Sequence, residues 1–183
     1  MRIGLLGGTF DPAHNGHAHV AHVAATRLGL DRVWWLVTPQ NPLKPKATPL
    51  KERMASARAK ARGRKHIVTD LESRLGLTFT VDTARRLQQI YPGVRFVLVM
   101  GADNMETFAR WRRWPLLLQT LPAAIVSRPS AGARARFAPP FRRFAAARKR
   151  DGQSLFASKP PAWVFLTARF SPLSSTAIRS RTR

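Results

Sequence analysis

Apolar residues along the chain form short runs, and these alternate with stretches in which apolar residues recur at helical spacing. The apolar runs predict strands at residues 3–6, 33–37, 67–69, 96–100, 124–126 and 164–166. The periodic stretches predict helices at residues 16–30, 50–62, 81–90 and 174–181, and a further helix that follows residues 101–103 and reaches residue 110. Strands that alternate with helices are typical of βαβ units. The pattern therefore predicts an α/β fold, a doubly wound parallel sheet with helices on both faces.

One stretch departs from this alternation. Residues 129–161 are rich in Ala, Arg and Pro and show weak periodicity, although Phe137, Phe141 and Phe144 can line one face of a short helix. We interpret this stretch as a mobile basic insertion. The chain shows no internal repeat and no domain linker, and its 183 residues fit one compact domain. We therefore expect a single domain over residues 1–183.

The charge of the chain is strongly positive and unevenly distributed. The formal net charge is +23, and residues 110–183 carry 16 Lys or Arg against one acidic residue, Asp151. Arg outnumbers Lys by 25 to 7 in a chain that also holds 26 Ala and 14 Pro, a composition typical of codons rich in G and C. Three interpretations stay open: a solvated basic surface, attraction of polyanionic small substrates, and nucleic-acid binding, which we favour least.

The composition excludes several classes of protein. The sequence contains no cysteine, which excludes a disulfide scaffold, a Cys-ligated zinc site and a thiol nucleophile. No apolar run approaches the roughly 20 residues that a membrane-spanning helix needs, and the first ten residues run too soon into glycine for a signal peptide. An apolar content of 44% is enough to bury a core, which excludes a mainly disordered chain. We expect a cytoplasmic protein.

The most informative stretch is the turn from the first strand into the first helix, Gly7-Gly8-Thr9-Phe10-Asp11-Pro12-Ala13-His14-Asn15-Gly16-His17. Open α/β sheets bind ligands at the carboxyl ends of their strands. Glycines let a ligand approach the backbone, and a helix start offers N–H groups and partial positive charge to an anion. Because His14 and His17 stand at the same end, the stretch predicts a phosphate cradle. A glycine-rich turn with two capping or surface histidines is the alternative.

This stretch resembles the T/H-x-G-H signature of the nucleotidyltransferase superfamily, whose Rossmann-like members transfer a nucleotidyl group from an NTP and release pyrophosphate. The resemblance implies that His14 and His17 are catalytic. It also implies that ATP is bound by Gly7, Gly8, Thr9 and Phe10.

A second match to the superfamily lies near the end of the sequence. Ser174-Ser175-Thr176-Ala177-Ile178-Arg179 is similar to its I-S-S-T-x-I-R element, with Leu173 in place of the first Ile. In the family this element holds the ATP phosphates. The resemblance therefore assigns phosphate binding to Ser174, Ser175, Thr176 and Arg179, and a forked guanidinium suits that task.

Two further matches point to one branch of the superfamily. Thr78-Phe79-Thr80-Val81-Asp82-Thr83 resembles the S-Y-T-x-D-T motif of bacterial nicotinate-nucleotide adenylyltransferases, with Phe79 in place of Tyr. Gly101-Ala102-Asp103 resembles their G-A-D element, in which a carboxylate can accept both hydroxyls of a ribose. The resemblance implies mononucleotide binding by Thr80, Asp82 and Trp111, with Trp114 as the alternative aromatic, and ribose binding by Gly101 and Asp103.

Smaller matches complete the resemblance. Asn41-Pro42-Leu43-Lys44 resembles the N-P-x-K loop of the family, which places Lys44 near the phosphate of the mononucleotide. Arg53-Met54 and Arg128-Pro129 also occur in the family pattern. His19 and His22 lie one helical turn apart but lack a third ligand, so we interpret both as structural and expect no metal site formed by the protein.

The function implied by these resemblances is transfer of the adenylyl group of ATP to nicotinate mononucleotide, which gives deamido-NAD and pyrophosphate in NAD biosynthesis. Mg²⁺ is the expected cofactor, carried with ATP, because it binds substrate phosphates and keeps several waters. The expected partners are ATP and nicotinate mononucleotide, with neither membrane nor nucleic acid, and the oligomeric state stays open. The alternatives are an adenylyltransferase that uses nicotinamide mononucleotide or phosphopantetheine and, less favoured, a basic nucleic-acid-binding protein.

Overall fold

In the computed structural model, which describes residues 1–39, 47–127 and 139–167, the apolar runs form one parallel sheet. Its strands in those ranges are β1 Arg2–Gly8, β2 Arg32–Val37, β3 His66–Thr69, β4 Arg95–Gly101, β5 Ala123–Val126, β6 Arg148–Lys149 and β7 Trp163–Leu166. The strand order is β3-β2-β1-β4-β5-β7-β6, and every neighbouring pair is parallel. The predicted parallel sheet is confirmed.

Helices connect these strands. The α-helices in the described ranges are α1 Asn15–Arg27, α2 Leu50–Lys60, α3 Leu71–Arg74, α4 Thr80–Ile90, α5 Trp114–Thr120, α6 Pro139–Arg143 and α7 Gly152–Ala157. Short 3-10 helices cover Ala102–Glu106, Phe108–Arg110 and Ala145–Ala147. Side chains that alternate along a strand point to opposite faces of the sheet. Leu6 accordingly packs in a core with α1 and α2, and Leu5 packs in a second core with α4 and α5. Helices on both faces are therefore confirmed.

Some predicted boundaries were wrong for local reasons. The first helix stops at Arg27 rather than at residue 30, because Gly29 takes a left-handed φ of +58° and ends the turn. The helix expected to reach residue 110 consists of two short 3-10 segments. The pattern did not predict α3, α5, α7 or β6, which are 4, 7, 6 and 2 residues long. Such short elements carry too little periodicity to be recognised. The predicted helix at residues 174–181 lies outside the described residues.

The second part of the stretch interpreted as a mobile insertion belongs to the packed fold. Phe141 on α6 is 1% exposed, and Leu155 on α7 is fully buried. β6 pairs with β7 at the edge of the sheet. A Cβ atom on Gly152 would lie 2.9 Å from the carbonyl oxygen of Arg27, so α7 packs closely against the end of α1. Residues 139–161 are thus structural. Phe137 lies outside the described residues.

The direction of winding reverses between the two central strands. From β1 the chain proceeds to β2 and β3 on one side, whereas from β4 it proceeds to β5 and β7 on the other. Ligands of doubly wound sheets bind at such a reversal, beyond the carboxyl ends of the strands. The loops that follow β1 and β4 carry the predicted cradle and the predicted ribose site, so both lie at this crevice. Within the described residues, no helix has both the length and the apolar character needed to cross a membrane.

Candidate active site

The turn from β1 into α1 brings the two predicted catalytic histidines together. His14 caps the helix, because its Nδ1 accepts a hydrogen bond from the backbone N–H of Gly16 at 3.1 Å. His17 reciprocates, because its Nδ1 accepts a hydrogen bond from the backbone N–H of His14 at 3.2 Å. The ring centroids are 3.8 Å apart, and the ring planes are inclined by 32°. The two imidazoles thus satisfy backbone donors that a helix start leaves unpaired.

This capping determines which nitrogen of each ring carries the proton. A neutral imidazole whose Nδ1 accepts a hydrogen bond carries its proton on Nε2. Both rings are therefore hydrogen-bond donors at Nε2, from two positions one turn apart. The alternative of capping histidines is correct as local geometry, and the capping itself creates the pair of donors. The expected role of the helix amides is reduced, because the N–H of Gly16 is engaged by His14.

Phe10 supports the cradle from beneath. Its ring is 2% exposed and lies 4.9 Å from the ring of His17 and 5.3 Å from that of Trp35, centroid to centroid. Its φ of +51° is uncommon for a residue other than glycine. A Cβ atom on Gly8 would lie 3.0 Å from the Phe10 ring, so the close approach favours glycine there. The predicted contact of Phe10 with ATP stays a prediction.

Gly7 and Thr9 flank this packing and differ in exposure. A Cβ atom on Gly7 would meet nothing within 4 Å, so Gly7 borders open space, as a close backbone approach by a ligand requires. Thr9 is 6% exposed, and its Oγ1 has no hydrogen-bond partner. Buried hydroxyls are nearly always hydrogen-bonded. The ATP contacts of both residues stay predictions.

Arg53, to which the sequence assigned no role, connects the loops around the cradle. Its side chain points inward from α2 and is 2% exposed. Nη1 donates to the carbonyl oxygens of Thr9 at 3.0 Å and Thr38 at 2.7 Å. Nη2 donates to that of Pro39 at 2.7 Å, and Nε to that of Thr48 at 2.8 Å. One guanidinium therefore joins the loop after β1, the end of β2 and the approach to α2. Burial lowers the pKa of Arg53, and the nearby charge of Asp11 opposes that shift.

Polar contacts from the α2 region also hold the loop after β1. The carboxylate of Asp11 accepts hydrogen bonds from the backbone N–H of Thr48 at 2.9 Å and from its hydroxyl at 2.8 Å. The backbone N–H of Ala13 donates to Oγ of Ser56 at 2.9 Å. The cradle is therefore positioned by side chains that lie about 40 residues away in sequence, as the separations of 37 and 43 residues show. In the sequence analysis, only the occurrence of Arg53-Met54 in the family pattern pointed to this position.

The predicted ribose site follows the central strand β4. Gly101 is buried and pairs with Val126 of β5. Asp103 lies in the first turn of the 3-10 helix Ala102–Glu106 and is exposed. The structure thus places an accessible carboxylate beside the crevice, across the reversal point from the cradle.

The predicted mononucleotide motif forms the start of α4. Thr80 is the first residue of the helix and does not cap it, because Phe79 occupies the capping position and no side chain caps the helix. Asp82 lies in the first turn. Uncapped N–H groups and the dipole of an 11-residue helix favour an anion at this end.

A buried carboxyl group lies behind the start of α4. Glu72 on α3 is 2% exposed, and its Oε1 accepts a hydrogen bond from the hydroxyl of Thr83 at 2.9 Å. Its Oε2 is buried without a hydrogen-bond partner. Burial raises the pKa of Glu72 to about 7, and the Thr83 hydrogen bond partly offsets the rise. The sequence analysis did not single out this residue, because burial of a glutamate on a four-residue helix leaves no pattern.

The aromatic candidates lie next to this helix start. Trp111 is half-buried and packs on Phe108 with ring centroids 5.1 Å apart. Trp114, the alternative, packs on Phe108 at 6.2 Å and edge-on to Phe144 at 6.0 Å. The guanidinium of Arg112 lies 4.6 Å from the ring centroid of Phe79, which joins the Trp111 loop to α4. Thr80, Asp82 and Trp111 are therefore brought to one side of the crevice. Trp114 has more structural partners, which favours Trp111 as the ligand-facing ring.

Several predicted residues lie outside the described ranges. They are Lys44, Arg128, Ser174, Ser175, Thr176 and Arg179, and their assignments stay predictions. In the described part of the chain, no three His, Asp or Glu residues are grouped as ligands for a metal ion.

Comparisons with known proteins agree with this geometry. The cytidylyltransferase-like family model matches residues 5–181. A probable nicotinate-nucleotide adenylyltransferase of Caulobacter sp. (strain K31) is 52% identical over 99% of this chain and 98% of its own length. A second, from Cereibacter sphaeroides (strain ATCC 17025), is 50% identical over 100% of this chain and 99% of its own.

Solved structures share the fold at lower identity. Plasmodium falciparum nicotinic acid mononucleotide adenylyltransferase complexed with NaAD matches with a TM-score of 0.69 at 18% identity, over 94% of this chain and 77% of that one. The same enzyme complexed with APC matches with a TM-score of 0.66 at 19% identity, over 94% and 78%. With the full-length matches at about half identity, these findings show that the chain belongs to the cytidylyltransferase-like family, in the branch of the nicotinate-nucleotide adenylyltransferases.

Proposed function

We propose that the protein transfers the adenylyl group of ATP to nicotinate mononucleotide, forming deamido-NAD and pyrophosphate. The observation that carries the proposal is the pair of imidazoles at the reversal point of the sheet, each with Nδ1 engaged by backbone and Nε2 as a donor. Membership of the nicotinate-nucleotide adenylyltransferases supports the choice of substrates, as does the solved relative described as complexed with NaAD.

The reaction is a displacement at phosphorus. A phosphate oxygen of the mononucleotide attacks the α-phosphorus of ATP, a new P–O bond forms, and the bond to the β-phosphate bridging oxygen breaks with release of pyrophosphate. The attacking oxygen is already anionic at neutral pH, so the reaction needs no protein nucleophile. Catalysis then consists of positioning and of neutralising charge. The Nε2–H groups of His14 and His17 would stabilise the charge on the phosphate oxygens in the transition state.

The metal would accompany the nucleotide. Families of this kind use a divalent cation with ATP, and we propose Mg²⁺. The described residues offer no cluster of three or more ligating side chains, and both carboxylate oxygens of Asp11 already bond Thr48. This donor set fits an ion held mainly by substrate phosphates and water, which is the usual mode of Mg²⁺. When bound, it would offset negative charge on those phosphates.

The mononucleotide would occupy the crevice between the cradle and α4. The carboxylate of its nicotinate ring suits the uncapped start of α4 at Thr80, and Trp111 offers a face for the ring to stack on. Asp103 would accept the hydroxyls of a ribose. We further propose that Lys44 and the Ser174–Arg179 element contact phosphates, as the resemblance implies. The cytoplasmic location expected from the sequence stays a prediction.

A pair of isosteric substitutions at His17 tests the cradle. Asn places an oxygen near the position of Nδ1 and keeps the acceptor for the His14 N–H, but it has no donor at Nε2. Gln places its amide near Nε2 instead. We expect His17→Asn to lower kcat by about 100- to 1000-fold, as removal of one transition-state donor does, and His17→Gln to retain more activity. Pyrophosphate release measures kcat, circular dichroism checks folding, and Thr26→Ala, exposed on the same helix, is the matched control.

A panel of acceptors tests the substrate. Pyrophosphate release with ATP is measured against nicotinate mononucleotide, nicotinamide mononucleotide and phosphopantetheine. We expect the highest kcat/KM with nicotinate mononucleotide, because a neutral amide gains little from the start of α4. A higher kcat/KM with either of the other acceptors would reject the proposed substrate.

The His17 test has its own contrary outcome. An equal kcat for His17→Asn and wild type would reject the proposed role of the His17 donor in the mechanism.

A further inference from the structure

A second concave site lies beside the cradle and does not include its histidines. It is a cavity of about 320 Å³ bounded by α1, the end of α2 and the start of β3. Its polar lining consists of Asn15, His22, Lys60, Arg62 and His66, completed by two alanines. The volume is at the lower end of the range for small-molecule sites. The lining holds no carboxylate.

Two hydrogen bonds within the protein engage the acceptor atoms of Asn15 and His66. Nζ of Lys60 donates to Oδ1 of Asn15 at 3.2 Å, so the amide N–H₂ of Asn15 is the part that can still bond a ligand. Nε1 of Trp35 donates to Nδ1 of His66 at 3.1 Å, so the neutral His66 ring carries its proton on Nε2. The half-buried part of the cavity therefore presents donors: the Lys60 ammonium, the Asn15 amide and the His66 Nε2–H.

The positive charge of the cavity is not compensated within the described residues. Neither Lys60 nor Arg62 forms an ion pair with a carboxylate there. His22 and His66 are close enough that the charge of His22 adds to burial in lowering the pKa of His66. Like charges and unengaged donors in one concavity are relieved by an anion.

We propose that this cavity binds a small phosphate-bearing anion, held by Lys60, Arg62, His66 and the amide of Asn15, at a site separate from the catalytic cradle. A phosphate group offers acceptors only, in the number that these donors can engage. The source of the phosphate group is either inorganic phosphate or a phosphate ester. The volume leaves room for a small organic part, so both are tested. The proposal concerns binding alone and stands independently of the adenylyl transfer reaction.

The test follows the imidazole signals of His22 and His66 by NMR during titration with inorganic phosphate, and separately with ribose 5-phosphate, at constant ionic strength. The experiment is run in His17→Asn, in which the cradle has lost a donor, and in wild type. We expect saturable shifts of both histidines in both proteins. We expect Lys60→Met and Arg62→Gln each to weaken binding about tenfold, the loss of one charge-assisted hydrogen bond. Tighter binding of ribose 5-phosphate would identify an ester as the ligand, and equal or weaker binding would identify phosphate itself.

Matched controls lie on α2, the helix that carries Lys60. Lys51→Met and Arg58→Gln remove the same charges from exposed positions of α2 that do not line the cavity. We expect these variants to bind phosphate as wild type does. The proposal is overturned if the shifts do not saturate, if chloride produces them equally, if they disappear in His17→Asn, or if the control variants weaken binding as much as Lys60→Met.

Discussion

Two buried ionisable residues support opposite ends of the proposed site, and they are satisfied in different ways. Arg53 and Glu72 are each 2% exposed. Arg53 donates to four backbone carbonyl oxygens around the cradle. Glu72, behind the start of α4, has one hydrogen bond from Thr83, and its second oxygen has no partner.

The difference follows from what each environment offers. Loops supply carbonyl oxygens in several directions, and a planar guanidinium with five N–H groups can bond them while it stays charged. The space behind α4 supplies one hydroxyl, so ionisation of Glu72 is costly and its pKa rises to about 7. The cradle is therefore held by a permanent charge, whereas the support of α4 titrates near neutral pH.

The largest effect is expected at Arg53. Arg53→Met retains an apolar stem but leaves four carbonyl oxygens without their donor, and each buried acceptor left unsatisfied costs about 1–3 kcal/mol. Because such costs do not add fully, we expect the free energy of unfolding to fall by about 3–5 kcal/mol. The free energy of unfolding of Arg53→Lys should lie between those of wild type and Arg53→Met, since an ammonium cannot span the same carbonyl oxygens. Urea denaturation measures the change, and Arg58→Met on the exposed side of α2 is the control. A loss as small as that of the control would contradict the bracing role of Arg53.

The next effect concerns the pH dependence of stability. The pKa of Glu72 in the folded protein, about 7, exceeds its ordinary value of 4.5, so the folded state binds more protons between these values. Stability contributed by protonated Glu72 is therefore present below pH 4.5 and lost as pH rises through 7. Glu72→Gln should remove this loss and be more stable than wild type at pH 8 by up to about 3 kcal/mol.

Denaturation curves at pH 5 and pH 8 measure this difference in both proteins. At pH 5, where Glu72 is protonated in most of the folded molecules, we expect the variant and wild type to differ little. An equal stability difference at both pH values would show that Glu72 does not titrate in this range.

The smallest effect is expected at Thr83. Thr83→Val removes the one hydrogen-bond donor to Glu72 and should lower the free energy of unfolding by about 1 kcal/mol at pH 8. Because that hydrogen bond lowers the pKa of Glu72, its loss should raise this pKa. The midpoint of the pH-dependent fall in stability should then lie at a higher pH than in wild type. Thr83→Ser keeps the hydroxyl and is the control. If the midpoint is the same in Thr83→Val and Thr83→Ser, Thr83 does not set the ionisation of Glu72.

Much of the architecture could be predicted from local pattern. The strands that became β1, β2 and β4 are continuous apolar runs, and their burial on both faces follows from that composition. The cradle could be placed for the same reason, since Gly7-Gly8 and His14-Asn15-Gly16-His17 stand where a strand turns into a helix. The short helices α5 and α7 could not be predicted in this way. They are too short to show a periodic pattern, and their apolar residues are buried only by packing in the two cores of the assembled fold.

The sequence by itself determined the class of fold, the position of the cradle and the family, because apolar periodicity and short motifs are local properties of the chain. The tertiary structure alone decided that Phe10 lies beneath the histidines and that Arg53 braces three loops. It also decided that Glu72 is buried with one partner. The Thr83–Glu72 and Arg53–Thr9 contacts join residues 11 and 44 positions apart in sequence, and the free energies of such contacts depend on burial that only the assembled fold creates.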